Sequence, residues 1–422
     1  MLKKSVFNII TEEKGEVKIF NTFSKATGVL NKSVGKNYLD DRIDLIEKEI
    51  QELMKEQGFL VDEDLDELKM LEQKYCQIRK SKDALFITLI PTMACNFKCP
   101  YCFEGSECKT NNDIIDFEIL KKFSSKKFKN LKHVHITLFG GEPLLLRNKI
   151  FNYFKYLEGI SQKYSFKYSS NIATNGYLLD EKTIEDLVGV CNCESFQITL
   201  DGNKRTHNLT RKHNNGNDTY NEIISNLKKL INYNKLNCNG RLNILLRINL
   251  LNNSLDDITE VLDEFSDNEK EFFKVYFRPI YNTKEFNSKN DNKLNLEDFY
   301  SIAEQKDFKI NFSDNVRFHH CEGDGGEEQI HIMPDFSVWK CINNIENEAA
   351  KIGKIDNEGN YTIDKNKINN WQKNNPLNDE KCKNCKMLPI CWGGCPLKFI
   401  QNGKRTCIYE KDFNIFNIIK NC

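Results

Sequence analysis

Cys95-Asn96-Phe97-Lys98-Cys99-Pro100-Tyr101-Cys102 puts three thiols on one short loop in the pattern C-x-x-x-C-x-x-C. Three thiolates so spaced can hold three irons of a cubane cluster and leave the fourth open to a small ligand, just as an unfilled metal position marks a catalytic site. The competing reading is a zinc knuckle with its fourth ligand elsewhere. Such knuckles usually pair two C-x-x-C halves, and the apolar run before this loop and the aromatic Tyr101 favour the cluster. A second group lies near the C-terminus, where Cys382, Cys385, Cys391 and Cys395 follow C-x2-C-x5-C-x3-C, with Cys407 after them and Cys321 and Cys341 before. These ten stand out among 16 cysteines. The others, Cys76, Cys108, Cys191, Cys193, Cys238 and Cys422, read as small hydrophobes without an assigned role.

The elements around the first loop alternate between strand and helix. Apolar strand-like runs at 85–90, 133–139, 166–174, 195–200, 242–250 and 272–277 are separated by amphipathic helical stretches. This predicts an α/β fold, a partial (β/α)6 barrel of parallel strands, closed in part or fully. Unusual polar residues follow the strands: Cys95 after the first, Gly140-Gly141-Glu142-Pro143 after the second, Thr174-Asn175-Gly176 after the third and Asp201-Gly202 after the fourth. In a parallel barrel those positions share the face that carries chemistry. Taken singly, each is also an ordinary turn sequence.

Three domains are expected: a small α+β module over 1–80, the barrel over 81–305 and a cysteine-rich end over 306–422. In the module, 6–10 and 16–20 flank Gly15 as a hairpin. Leu39, Ile43, Ile46, Ile50 and Leu53 follow at helical spacing up to Gly58, then a charged helix carries Leu65 to Ile78. With 61 basic against 61 acidic residues, nothing global draws the chain to nucleic acid or an anionic membrane. The longest strongly apolar run, 84–90, is far short of the roughly 20 residues that span a bilayer. Charges at Glu12, Glu13 and Lys14 cut off any signal-peptide core, so a cytoplasmic setting is expected, where clustered thiols stay reduced.

The first cysteine loop resembles that of the radical S-adenosylmethionine (radical SAM) superfamily, whose C-x-x-x-C-x-x-C motif has an aromatic before the last Cys. Phe139-Gly140-Gly141-Glu142-Pro143 is similar to the family's second-strand motif, where backbone and Glu meet the SAM amino group. Thr174-Asn175-Gly176 and Ile198-Thr199-Leu200-Asp201-Gly202 resemble further motifs, Thr199 replacing a common Ser while keeping its hydroxyl. His207 and Arg211 match a His and an Arg that follow, the Arg offering a fork of donors to a carboxylate. The resemblance implies SAM, a SAM-binding 4Fe-4S cluster and a low-potential donor such as flavodoxin or ferredoxin. Reductive cleavage of SAM would then yield a 5′-deoxyadenosyl radical that abstracts an unactivated hydrogen.

The end of the chain resembles the seven-cysteine SPASM domain with two auxiliary 4Fe-4S clusters. That resemblance assigns Cys382, Cys385, Cys391 and Cys407 to one cluster and Cys321, Cys341 and Cys395 to the other. A fourth ligand for the second is open, with His319, His320 and Cys422 as candidates. Phe336 stands where the family typically has Gly. A pair of zinc sites is the plainer alternative. Relatives of this kind commonly cross-link ribosomally made peptides or convert a sulfatase Cys or Ser to formylglycine. The front module has the position of a leader-recognition element, in which a peptide adds as a strand, or else it merely extends the barrel's packing. Sulfatase maturases start close to their cluster motif and usually carry Asp after the second cluster cysteine. Here Ile342 follows Cys341. The expectation is a maturase forming a thioether or related cross-link on a Cys-containing precursor peptide. The alternatives are a sulfatase maturase and a non-catalytic iron–sulfur redox protein.

Overall fold

The computed structural model describes residues 1–13, 15–80, 82–102, 114–251, 253–280, 296–311, 321, 326–342 and 347–407. Cys108, His319, His320 and Cys422 lie outside them. The chain forms two compact units: residues 1–81 with 312–327 and 366–422, and residues 82–311 with 328–365.

In the first unit β1 (Leu2–Lys4) pairs antiparallel with β5 (Leu60–Asp62). β2 (Asn8–Glu13) and β3 (Glu16–Asn21) form the hairpin expected around Gly15, and β4 (Thr27–Leu30) completes a three-stranded antiparallel sheet. The single helix expected across Leu39 to Leu53 is instead two, Lys32–Leu39 and Lys48–Glu56, with a 3-10 turn at Ile43–Leu45 between them. Asp41 takes φ +60° at the break, a left-handed conformation that short polar residues tolerate. The break lets Ile43 and Ile46 enter the core while Leu39 and Leu53 stay exposed.

The charged helix Glu67–Lys80 does not stand apart from the end of the chain. Its Leu71 and Tyr75 pack with Phe7 against Leu377, Leu388 and Trp392. Tyr75 stacks on Trp392 with ring centroids 5.1 Å apart and donates to Asn374 O at 2.8 Å. Front module and cysteine-rich end therefore share one core, because each leaves apolar rings that only the other covers.

The second unit holds all six expected strands: β6 (Ala84–Leu89), β7 (His133–Leu138), β8 (Lys167–Thr174), β9 (Cys193–Leu200), β10 (Asn243–Leu250) and β11 (Lys274–Pro279). All are parallel and adjacent in sequence order. The sheet extends beyond them. β12 (Lys309–Ile310) adds parallel to β11, and β13 (Gln329–Ile332) adds parallel to β6, followed antiparallel by β14 (Ser337–Trp339), β15 (Lys351–Ile355) and β16 (Tyr361–Ile363). Among the described residues the outer strands β12 and β16 do not pair with each other, so the sheet stays open there.

Alternation along the strands sets the two faces. In β7, Val134, Ile136 and Leu138 are at most 1% exposed, whereas His133, His135 and Thr137 are half-buried. The apolar face is covered by crossover helices such as Arg147–Tyr164, whose Ile150, Phe154 and Leu157 are buried. The opposite, inner face is polar and hydrogen-bonded across strands: His135 Nδ1 lies 2.8 Å from Ser169 Oγ, and Tyr276 donates to Gln197 Oε1 at 2.8 Å. Among the described residues no helix is long and apolar enough to cross a membrane.

Candidate active site

The loop from β6 to Cys102 is held by the ends of the neighbouring strands. Gly141 N donates to Thr92 O at 3.1 Å and Glu142 N to Ala94 O at 2.9 Å. A Cβ on Gly141 would sit 2.2 Å from Ala94 O and 2.4 Å from Met93 O, so only glycine lets the two backbones meet. Gly140, at φ +122°, faces Thr92 O in the same way. On the far side Lys98 N donates to Lys212 O at 3.0 Å, and Asn214 Nδ2 donates to Cys95 O at 2.8 Å. The second-strand glycines thus seat the cysteine loop.

Glu142 is fully buried, and burial pushes its carboxyl pKa up. Its Oε1 accepts from Thr174 Oγ1 at 2.8 Å and Leu144 N at 3.0 Å, and Oε2 accepts from Asn175 N at 2.8 Å. One acceptor position remains on the carboxylate. Pro143 opens the short turn that follows, with Glu142 as its cap. Asn175 reaches the cysteine loop directly: Nδ2 donates to Asn96 Oδ1 at 2.7 Å and lies 3.9 Å from Cys95 Sγ.

Tyr101, between Cys99 and Cys102, joins a second network. Its hydroxyl donates to Asp201 Oδ2 and accepts from Arg211 Nη1 at 3.2 Å and Asn249 Nδ2 at 3.3 Å. Asp201 also accepts from Thr210 Oγ1 at 2.6 Å and Asn249 Nδ2 at 3.0 Å. Burial, reinforced by Asp201, holds the Tyr101 hydroxyl well above its ordinary pKa. Burial opposes the charge on Arg211, yet Cys99, Tyr101 and Asp201 keep that residue firmly protonated. His207 is enclosed. Its Nδ1 accepts from Asp201 N at 3.3 Å, and Nε2 lies 3.1 Å from Thr219 Oγ1, so burial and the Arg211 charge keep the ring neutral. Thr199 is half-buried on the inner face of β9.

The residues present fit a cluster-bound cofactor. Cys95, Cys99 and Cys102 are half-buried on one anchored loop, and beside them Asn96 Nδ2 and Arg211 Nε are buried with no partner among the described residues. Two unspent donors next to three thiols suit an anionic group. Asn249, Thr210 and Asn96 were not singled out from the sequence. The available signal was polar residues at alternate positions of the otherwise apolar run 242–250.

In the first unit a cavity of about 500 Å³ is lined by Cys382, Cys385, Cys391 and Cys407 together with Lys381, Lys404, Arg405 and Phe399. These are the four cysteines that the resemblance assigns to one cluster, and Cys395 is not among the lining residues. Burial raises Cys382 to about 11 and pushes Cys391 up as well, so both thiols are protonated unless a metal claims them. Gly394 allows the closure: a Cβ there would lie 2.1 Å from Thr406 O, beside Cys407. Cys341 is half-buried just after β14 in the barrel unit, and Cys321 belongs to the other unit. Cys191 and Cys193 are buried, and burial raises both thiols, Cys193 to about 12.

Comparison with known proteins accords with this geometry. Residues 89–265 match the model of the radical SAM superfamily. A cysteine-type anaerobic sulfatase-maturating enzyme of Clostridium perfringens is 24% identical over 329 residues, covering 71% of this chain and 85% of that protein. Among solved structures, anSMEcpe with bound AdoMet superposes with a TM-score of 0.57 at 20% identity, covering 80% of this chain and 96% of that one. Streptococcus suis SuiB bound to the precursor peptide SuiA superposes at 0.53 and 15% identity, covering 97% of this chain and 100% of that one. With the seated cysteine loop and the strand-end motifs around it, residues 89–265 form a radical SAM domain.

Proposed function

We propose that this protein is a peptide maturase: it modifies a ribosomally made, Cys-containing precursor by hydrogen abstraction, forming a thioether or related cross-link. The observation that carries the reading is the loop of Cys95, Cys99 and Cys102, anchored from four strand ends on the side where Asn175, Thr199 and Asp201 lie. A 4Fe-4S cluster on these cysteines, with SAM, supplies reductive cleavage and the 5′-deoxyadenosyl radical. Gly140 to Pro143, Asn175, Thr199, Asp201 and Arg211 are the residues to hold SAM. The barrel's part is to fix the loop, exclude water and present a polar inner face to substrate. Cys382, Cys385, Cys391 and Cys407 would hold one auxiliary 4Fe-4S cluster, and Cys321, Cys341 and Cys395 a second, in a SPASM domain.

The peptide substrate is supported by the fold likeness to SuiB, which spans nearly the whole chain, front module included. The three-stranded sheet there has β2 and β4 as edges, to which a leader peptide can add as a further strand. Oxygen-sensitive clusters fit a reducing cytoplasm and a flavodoxin or ferredoxin donor. The second reading, a sulfatase maturase, is favoured by the Clostridium perfringens relative. Against it, Ile342 rather than an Asp follows Cys341.

The test is the intact mass of a Cys-containing precursor after anaerobic incubation with reconstituted enzyme, SAM and reductant, followed by thiol alkylation. Loss of two hydrogens per modification with blocked thiols is expected. SAM cleavage that leaves such precursors unaltered while a sulfatase peptide is converted would reverse the two readings. Cys99→Ala should abolish SAM cleavage, whereas Cys385→Ala should lose product and an auxiliary cluster while SAM cleavage persists.

A further inference from the structure

Arg247 lies half-buried on the inner face of β10, level with Thr199 of β9 and Tyr276 of β11. Its Nε donates to Asn249 Oδ1 at 2.8 Å. The Asn249 amide in turn donates to Asp201 and Tyr101, so the side chain that steadies the cysteine loop also aims this guanidinium. The two terminal nitrogens of Arg247 have no partner among the described residues.

An arginine kept for structure spends its fork on a carboxylate or carbonyl. None serves here. The inner-face positions of β6 to β11 carry no Asp or Glu, and the nearby Asp201 carboxylate is already taken by Tyr101, Thr210 and Asn249. Arg278, level with Asn249, adds a second positive charge to the same face. Arg211, the arginine that the resemblance offers to a carboxylate, is only 7% exposed and sits over the Phe97 ring.

We propose that Arg247 is a carboxylate-binding residue of the inner face, its free fork taking either the methionyl carboxylate of SAM or an acidic group of the substrate peptide. The inference rests on the radical SAM reading of the site. It adds a ligand contact to a strand that otherwise only positions the loop.

The experiment uses reconstituted full-length protein and its Arg247→Gln and Arg247→Lys variants, matched for iron content. Each is titrated with SAM and with decarboxylated SAM by equilibrium dialysis. Each is then panned against two synthetic Cys-containing peptide pools that differ only in Asp and Glu versus Asn and Gln. If SAM supplies the carboxylate, Arg247→Gln weakens SAM binding roughly 10- to 100-fold and leaves decarboxylated SAM unaffected, with Arg247→Lys between. If the peptide supplies it, SAM binding is unchanged and the wild-type preference for the acidic pool disappears in Arg247→Gln. An Arg247→Gln protein with wild-type SAM affinity and a wild-type pool ratio overturns the inference alone. Wild-type protein that loads iron yet binds no SAM overturns the functional reading and this inference with it.

Discussion

One hydroxyl, that of Tyr101, ties the segment between two cluster cysteines to Asp201, Arg211 and Asn249, on three separate elements. Tyr101→Phe leaves all three buried partners short of a hydrogen bond. The expected outcome is a loss of about 1–3 kcal/mol in stability, read as a lower urea midpoint of cluster-free protein. An unchanged midpoint would show that water replaces the hydroxyl. The cysteines, Gly141 and Asp201 are legible in the sequence because spacing and residue type announce them. Asn249 is not, since a lone Asn in an apolar run has many plainer uses. Phe336 is intermediate: it stands where glycine was the family expectation, and it adopts φ +61° all the same. The turn is left-handed here, and burial of the ring to 6% exposure offsets the strain.

At the scale of elements, all six core strands were readable, because buried parallel strands leave continuous or alternating apolar runs bounded by turn residues. The broken helix near Asp41 was not, because the three-four spacing of Ile43 and Ile46 satisfies one long helix as well as two short ones. Nor was the shared core of Tyr75 and Trp392, whose partners announce nothing local. That core carries a prediction. Trp392→Ala removes a side chain that is 4% exposed and stacked on Tyr75, and should cost about 3–5 kcal/mol. Limited proteolysis would then cut both the front module and the cysteine-rich segment at higher rates, and cleavage confined to one of them would contradict a common core.

For the molecule as a whole, three histidines make stability depend on acidity. Burial holds His207 well below its ordinary pKa, His135 at about 4 and His331 at about 3, so all three are neutral when folded at neutral pH. Below pH 6.5 the unfolded chain takes up protons that the folded chain refuses, down to about pH 4 for His135 and about pH 3 for His331. Their contribution is complete above pH 6.5 and falls with acidification, by about 1.4 kcal/mol per unit for each histidine. Urea midpoints of cluster-free protein should therefore drop between pH 7.5 and pH 5.5, and a flat profile would mean that these rings charge in place. The partnership of Tyr75 with Asn374 also has a consequence in time, since 299 residues separate them. At about 5–20 residues per second, synthesis leaves the helix Glu67–Lys80 waiting roughly 15–60 s for the segment that covers it. A nascent chain thus carries an uncovered aromatic face through most of its own translation, which makes the front module an early client for chaperones.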